Sequence, residues 1–264
     1  MSQITTDDTA ILILSCDKYF DLQELAVLLL RRFWVDCPFK VYVGGNTLVF
    51  DKDASVQCVL SGRDEDWSSS LRKILEQIEE KYVFLFLEDY VLTSAPSTSE
   101  ILYFLNTVKT QDINNAHYYP APLPDHVNED GKFGVYSPGA PYRATVESLW
   151  ERDYLLKLLL DGESPWDFEI MGSYRCSYSG RHWCSMAPLF TLVNLVEKGH
   201  WTQEGVEADR KMGLGLNMEK RKVLQKSTLI KSICERLFFN LIKKIPWSYR
   251  VKMMAMLRKL LISY

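Results

Sequence analysis

The sequence predicts an α/β fold, a mostly parallel sheet flanked by helices, followed by a basic amphipathic helical appendage at the C-terminus. Three observations predict it. Over roughly the first 110 residues, short apolar runs alternate with helix-type segments, the pattern of a parallel sheet covered on both faces. One run, Tyr82 to Leu87, is apolar throughout and too short to span a membrane, which suits a strand buried on both sides. Charge is also unevenly placed. From Glu219 to Tyr264 there are 12 Lys and Arg against 2 Glu, leaving 19 basic and 32 acidic residues before them. An acidic body over 1–218 and a basic tail over 219–264 are therefore the expected units.

The elements follow in order. Ala10 to Ser15 reads as a buried first strand, and Ser15-Cys16-Asp17 as the loop after it. Leu22 to Trp34 is a helix, Lys40 to Gly44 a second strand running into Gly44-Gly45-Asn46, and Ser55 to Leu60 a third. Ser61 to Asp66 is turn-rich. Ser68 to Lys81 is a helix, with Ser68 or Ser69 as its cap and Leu71, Ile74, Leu75 and Ile78 as one apolar stripe. Ser97 to Thr110 is another helix. Gln111 to Thr145 breaks the pattern with five prolines and four tyrosines, among them Tyr118 and Tyr142; Asp130-Gly131 fits a hairpin turn. A segment of this kind inside a compact domain predicts a functional loop or lid. Leu149 to Leu160 returns to helix. Ser164-Pro165-Trp166-Asp167 is a helix start, with Ser at the cap, Pro in the first turn and acids after it. The tail reads as two amphipathic helices separated by Pro246.

Composition excludes several classes. The chain has 264 residues, 47% hydrophobic, with a formal net charge of −3. Its six cysteines form no CxxC pair and no zinc spacing. The polar, acidic N-terminus is no signal peptide, and no apolar stretch reaches the ~20 residues of a membrane helix. A cytoplasmic protein with reduced thiols is expected. The acidic body and the lack of a recognition motif argue against nucleic acid as a partner.

The chemistry is expected at Glu88-Asp89, where the apolar run of Tyr82–Leu87 ends in two adjacent carboxylates. In open α/β sheets ligands bind beyond the carboxyl ends of the strands. Charge there sits in low dielectric and calls for compensation by a divalent cation or a cationic ligand. One protein carboxylate with phosphate oxygens and water suffices for magnesium or manganese. The plain alternative is that both acids cap or pair with neighbouring loops.

With these residues in order (the Ser-Cys-Asp loop, Gly44-Gly45-Asn46, Asp66-Trp67-Ser68, Glu88-Asp89-Tyr90, then Ser164 to Glu169 and Gly172-Ser173), residues 9–205 resemble bacterial GT-A glycosyltransferases of surface-polysaccharide (O-antigen or capsule) biosynthesis. The resemblance implies a Rossmann-type GT-A fold, a nucleotide-sugar donor over the first strands and an acid of DXD type on the metal and diphosphate. Here the triplet is Glu-Asp-Tyr, so Asp89 matches best and Glu88 stands beside it. It also implies that Ser15 and Asp17 touch the nucleoside, although Asp17 is equally suited to cap the next helix. Gly45, with Gly44, permits close backbone approach to a ligand or simply makes a tight turn. Trp67 is placed to stack on a base or sugar. Arg72 is placed to reach the diphosphate or to lie on a solvated helix face.

Glu169 and Asp167 are the candidate catalytic bases, Glu169 first, taking the proton of the acceptor hydroxyl as it attacks. The alternative is that both acids merely favour a first helical turn. Arg175, Arg181 and His182 are candidates to offset phosphate charge. His200 either completes a metal site, as a late histidine does in some glycosyltransferases of this fold, or is simply structural. The basic tail suits an anionic membrane surface on the inner face of the plasma membrane, hence a lipid-linked or glycan acceptor, or else packs on the body or on a second copy in a homo-oligomer. Two other functions compete: a nucleotidyltransferase, which lacks its Gly-rich phosphate loop here, and a non-enzymatic membrane-peripheral carbohydrate-binding protein, which leaves the paired acids unexplained.

Overall fold

A computed structural model describes residues 5–140 and 142–224 and, in the tail, positions 241, 244–246, 249–250, 252–253 and 256. The first half alternates as its apolar pattern dictates: β1 (Thr9–Leu14), α1 (Phe20–Phe33), β2 (Lys40–Gly45), β3 (Val56–Leu60), α2 (Trp67–Leu75), β4 (Tyr82–Leu87), β5 (Tyr90–Leu92) and α3 (Thr98–Thr110). Then come β6 (Asn115–His117), β7 (His126–Val127), β8 (Phe133–Val135), β9 (Ser148–Glu151) and α4 (Arg152–Leu158). A composite helical segment follows, α5 (Pro165–Asp167), a π turn (Phe168–Gly172) and α6 (Ser173–Arg175). The described part closes with β10 (His182–Ser185), β11 (Leu192–Asn194), β12 (Val196–Glu197), β13 (His200–Trp201) and α7 (Gln203–Met212).

Among the described residues the main sheet has nine strands in the order β3-β2-β1-β4-β9-β6-β10-β8-β7. β3, β2, β1 and β4 run parallel. β9 enters antiparallel to both β4 and β6, β10 is parallel to β6, and the β8 and β7 edge is antiparallel. The result is a mixed sheet whose parallel half is the one read from the alternating segments. Side-chain alternation splits the core between its faces: Ile11 and Ile13 pack with α1 and α3, while Ala10, Leu12 and Leu14 pack with α2 and α4. Burial on both sides is why β1 and β4 read as unbroken apolar runs.

Three expectations are corrected. Leu149 and Trp150 lie in strand β9, and helix begins only at Arg152. Leu149 points into one core and Trp150 into the other, so two buried faces mimic the dense apolar spacing of a helix. The segment from Gln111 to Thr145 is no free lid: it supplies β6, β7 and β8. Tyr118 is buried with its hydroxyl donating to the Leu85 carbonyl at 3.0 Å, and Tyr136 donates to the Pro122 carbonyl at 2.6 Å. Asp130-Gly131 does sit in the β7–β8 hairpin, with Gly131 at φ 74°. Finally, α2 is capped by Asp66, whose carboxylate accepts from the Ser69 amide at 2.8 Å, rather than by Ser68 or Ser69. It ends at Leu75 instead of continuing to Lys81.

The two tail helices lie largely outside the described residues. What is described shows contact with the body. Arg221 donates to both Asp21 oxygens at 2.6 and 2.9 Å and lies between the rings of Tyr19 and Trp201. Val223 bridges to Trp201, and Arg250 pairs with Asp125 at 2.9 Å. Among the described residues no helix is long and apolar enough to cross a membrane.

Candidate functional site

The parallel register brings the ends of β1, β2 and β4 to one edge, where the chain must turn away. β4 runs into a turn made of Glu88 and Asp89 and leaves for β5, which pairs with β11 in a separate two-stranded sheet. The Glu88 amide donates to Leu14 at the end of β1, and the Asp89 carbonyl accepts from Leu195 at 2.7 Å. Both acids are therefore fixed by backbone bonds on either side. Glu88 is buried, and Asp89 Oδ1 is buried with no hydrogen-bond partner. Burial pushes the Asp89 carboxyl above its usual range; burial and then the charge of Asp89 do the same to Glu88.

Two more carboxylates reach this turn from elsewhere in the chain. Because β9 is antiparallel to β4, the residue before β9, Glu147, arrives beside the end of β4. Its Oε1 accepts from the Leu87 amide at 3.4 Å. It is buried, and burial, then the charge of Asp89, raises it far above an ordinary glutamate. Glu169 comes from the π turn. Its Oε1 accepts from the Val146 amide at 3.2 Å and the Thr145 hydroxyl at 3.3 Å, and burial raises it despite those two bonds. Trp150 holds this junction from below: its indole N–H donates to the carbonyls of Thr145 and Val146 at 3.2 Å each. Tyr90 and Tyr119 complete the wall, both pushed up by burial and then by Glu147.

The structure thus brings together Glu88, Asp89 and Glu169 and adds Glu147, which sequence reasoning missed. The signal was a single acid in the apolar stretch from Ala144 to Trp150. A lone acid says nothing of its partners until β9 is known to lie against β4.

The other candidates have structural partners. Asp17 does not cap the following helical turn; its Oδ1 accepts from the Thr47 and Leu48 amides at 2.9 and 3.0 Å, and its Oδ2 accepts from the Thr47 hydroxyl. Burial works upward on this carboxyl, but those bonds outweigh it and lower it. Ser15 is buried and bonds the Cys16 carbonyl. Arg72 spends its guanidinium on the carbonyls of Leu156 and Leu159 and on Asp161, docking α2 onto the end of α4. Trp67 packs on Phe168 at 5.5 Å, with its indole N–H buried and unpartnered. Gly44 and Gly45 are strand residues with different surroundings: Gly44 lies against Ile74 and Leu12, Gly45 in looser contact with Gln23 and Leu48.

Asp167 forms a capping box with Ser164: the Ser164 hydroxyl accepts from the Asp167 amide at 3.2 Å, and Asp167 Oδ2 accepts from the Ser164 amide at 3.1 Å. It is exposed, and the Ser164 hydroxyl and amide lower it. Of the two candidate bases, only Glu169 stands in the acid cluster. Arg175 pairs with Glu163, Arg181 donates to the Gln111 carbonyl, and His182 is buried between the Arg143 carbonyl and the Tyr154 hydroxyl. His200 lies on the β12–β13 hairpin with an exposed ring, 3.0 Å from the Lys198 carbonyl. No contact among the described residues joins it to Asp89.

A divalent cation can be tested against this geometry. Among the described residues no three His, Cys, Asp or Glu side chains, the clustered acids included, are arranged to hold one metal ion between them. The unpartnered buried Oδ1 of Asp89, beside raised carboxyls, fits a cation that takes one protein carboxylate and fills its shell from ligand and water.

Known proteins give distant likenesses. No family model and no curated protein matches the chain. Among solved structures, it is similar to S. aureus TarS 1–349 in complex with UDP, with a TM-score of 0.49 and 10% identity over 70% of this chain and 59% of that one. It is also similar to the apo WbbM bifunctional glycosyltransferase, with a TM-score of 0.40 and 12% identity over 72% and 40%. A third is apo GlyE of Streptococcus pneumoniae TIGR4, with a TM-score of 0.40 and 10% identity over 95% and 63%. The chain spans about three fifths of the length of the TarS structure.

Proposed function

We propose that the protein is a glycosyltransferase that moves a sugar from a nucleotide-sugar donor to a glycan or lipid-linked acceptor in bacterial surface-polysaccharide synthesis. The observation that carries this reading is the buried, unpartnered Asp89 oxygen at the carboxyl end of β4, set among Glu88, Glu147 and Glu169. The GT-A-like motif order supports it. A site of uncompensated buried acids is costly in the free protein and becomes favourable when a ligand brings positive charge or protons.

In this mechanism Asp89 would hold a magnesium or manganese ion, which would supply positive charge to the donor diphosphate. Glu169 accepts the acceptor hydroxyl's proton as that oxygen attacks the anomeric carbon, and the nucleoside diphosphate leaves. Burial and hydrogen bonding place Glu169 as a base that is neither fully exposed nor locked in an ion pair. Glu88 and Glu147, raised by burial, take up a proton more readily than an exposed glutamate does. Tyr119, which feels the charges of Glu147 and Glu169 and is only partly buried, is the aromatic side chain assigned to the acceptor in this reading. Positioning and electrostatic stabilisation of the departing diphosphate supply most of the rate.

The deciding experiment is a donor screen. Melting of the full chain is followed with UDP-, GDP- and CMP-type ligands, with and without manganese, for wild type and Asp89→Asn. One nucleotide class raises the melting temperature in wild type, more with manganese, and the variant, equally folded, loses the metal-dependent part. No response to any nucleotide or metal removes the reading. For the tail, the exposed Leu241, Tyr249 and Met256 support contact with an anionic membrane surface. Co-sedimentation with anionic but not neutral vesicles, lost on shortening the chain after Leu224, is the expected result.

A further inference from the structure

The turn that carries Glu169 is closed by an ion pair that the mechanism above does not use. Arg175 Nη1 and Nη2 donate to Glu163 Oε1 and Oε2 at 2.6 and 2.7 Å, a two-pronged fork. The two side chains are 20% and 13% exposed. Glu163 immediately precedes the cap residue Ser164, and Arg175 is the last residue of α6. The pair therefore closes a ring around the capping box, the π turn and α6. Glu163 lies just outside the helical run Pro165–Arg175, whose backbone stays right-handed helical through the π turn, so the fork spans that run from its entry to its last residue through two long side chains.

The inside of the ring is packed. Phe168 is buried, and the Arg175 guanidinium lies 6.0 Å from its ring centre. A Cβ on Gly172 would meet the Phe168 ring at 3.2 and 3.3 Å and Arg175 Nη2 at 3.6 Å. A second tie joins the ring to the site: the Ala144 amide donates to the Ser173 hydroxyl at 2.9 Å, one residue before the Thr145 and Val146 groups that hold Glu169. A π turn is an irregular insertion in a helix, and turns of this kind recur where a side chain must be presented at a functional site.

We propose that Glu163 and Arg175 are positioning residues: their fork locks the π turn and thereby keeps the Glu169 carboxylate against Thr145 and Val146, beside Glu147. The catalytic consequence rests on the transferase reading; the structural one does not. The groups facing Glu169 are Thr145 and Val146 by hydrogen bond, and Glu147, Tyr90 and Tyr119 by charge. Arg175 is not among them, so it acts by placement rather than by its own field. A lysine, which keeps the charge but loses the fork, should fail to replace it.

The test uses the full chain labelled with ¹³C at the glutamate carboxyls, with the Glu169 resonance assigned by its loss in Glu169→Gln. Wild type, Arg175→Lys, Glu163→Gln and Gly172→Ala are titrated. The last variant crowds the Phe168 ring, meets Arg175 Nη2 only at ordinary contact distance, and covers the case in which a pair variant does not fold. In wild type Glu169 titrates above the ordinary glutamate range; in the variants it falls toward that of an exposed glutamate. With an active donor, kcat falls about 10- to 100-fold while KM for the donor and its melting shift are unchanged. An unchanged Glu169 titration in the variants that fold, or kcat and donor KM changing together, overturns the proposal. If no donor is turned over by wild type, the transferase reading fails while the titration still decides the clamp.

Discussion

Gly44 and Gly45 look alike in the sequence, yet the structure predicts opposite responses to one added methyl group. A Cβ on Gly44 would lie 3.0 and 3.1 Å from two Ile74 carbons and 3.2 Å from Leu12 Cδ1. Carbon atoms prefer about 3.5–4.0 Å, so α2 must move off β2 by several tenths of an ångström. Overpacking of this kind costs about 1–3 kcal/mol, against about 0.4–1 kcal/mol gained by restricting the unfolded chain. A Cβ on Gly45 meets nothing nearer than Gln23 Nε2 and the Leu48 carbonyl, both at 3.8 Å, which is ordinary contact. Gly45→Ala should therefore keep only the gain. At about 2–4 °C per kcal/mol for a chain of this size, Gly44→Ala melts lower than wild type, by up to about 10 °C, and Gly45→Ala about 1–4 °C higher. Differential scanning fluorimetry without ligand reads both. Equal shifts, or a stable Gly44→Ala, would refute the assignment of Gly44 to helix–sheet packing. Repeating the scan with nucleotide adds a second decision: a Gly45→Ala protein that is stabilised but no longer responds to nucleotide places the ligand against that strand end.

Three further outcomes are expected. Glu169→Gln should lower transfer about 10²–10⁴-fold with donor binding kept, whereas Asp167→Asn, altering an exposed cap, should leave the rate near wild type; initial-rate kinetics on the two variants separate them. Arg72→Met should lower the melting temperature, because it frees two carbonyls at the end of α4, yet leave the donor-induced shift intact; a lost shift would return Arg72 to the diphosphate. Glu147 is raised in the folded state, so the fold binds its proton more tightly than the unfolded chain does. Its contribution is present at low pH and is lost as pH climbs above the ordinary glutamate range toward the native value. The buried His117 and His182, both lowered, slope the other way, so the readout is the difference between Glu147→Gln and wild type, which should widen from pH 5 to pH 8. A difference independent of pH would contradict it.

What the sequence revealed and what it hid follow from the range of the forces involved. β1, β2 and β4 are legible because burial on both faces leaves an unbroken apolar run. The capping box at Ser164 is legible because all its partners lie within four residues. Glu88 and Asp89 are legible because they end such a run. Partner choice over long separations is not: Arg72 finds carbonyls 84 and 87 residues away, and Asp17 finds amides 30 and 31 residues away. Either side chain, read locally, looks free for a ligand. Glu147 joins the site only because β9 inserts antiparallel between β4 and β6, a topology that local periodicity cannot encode.

The contact of Arg221 with Asp21 bears on where the basic appendage begins. The Trp201 amide donates to the Lys222 carbonyl, and Leu224 returns a bond to Trp201, so residues 221–224 are stitched to the acidic body like the end of a sash. The Arg221 cation is also felt at Glu88, drawing down a carboxyl that its surroundings otherwise push upward. Removing the chain from Glu219 onward would therefore take away the backbone bonds at Trp201 and strip the acid turn of a neighbouring positive charge. Severing the chain a few residues later spares both, so those few residues belong electrostatically to the acid turn rather than to the basic stretch that follows.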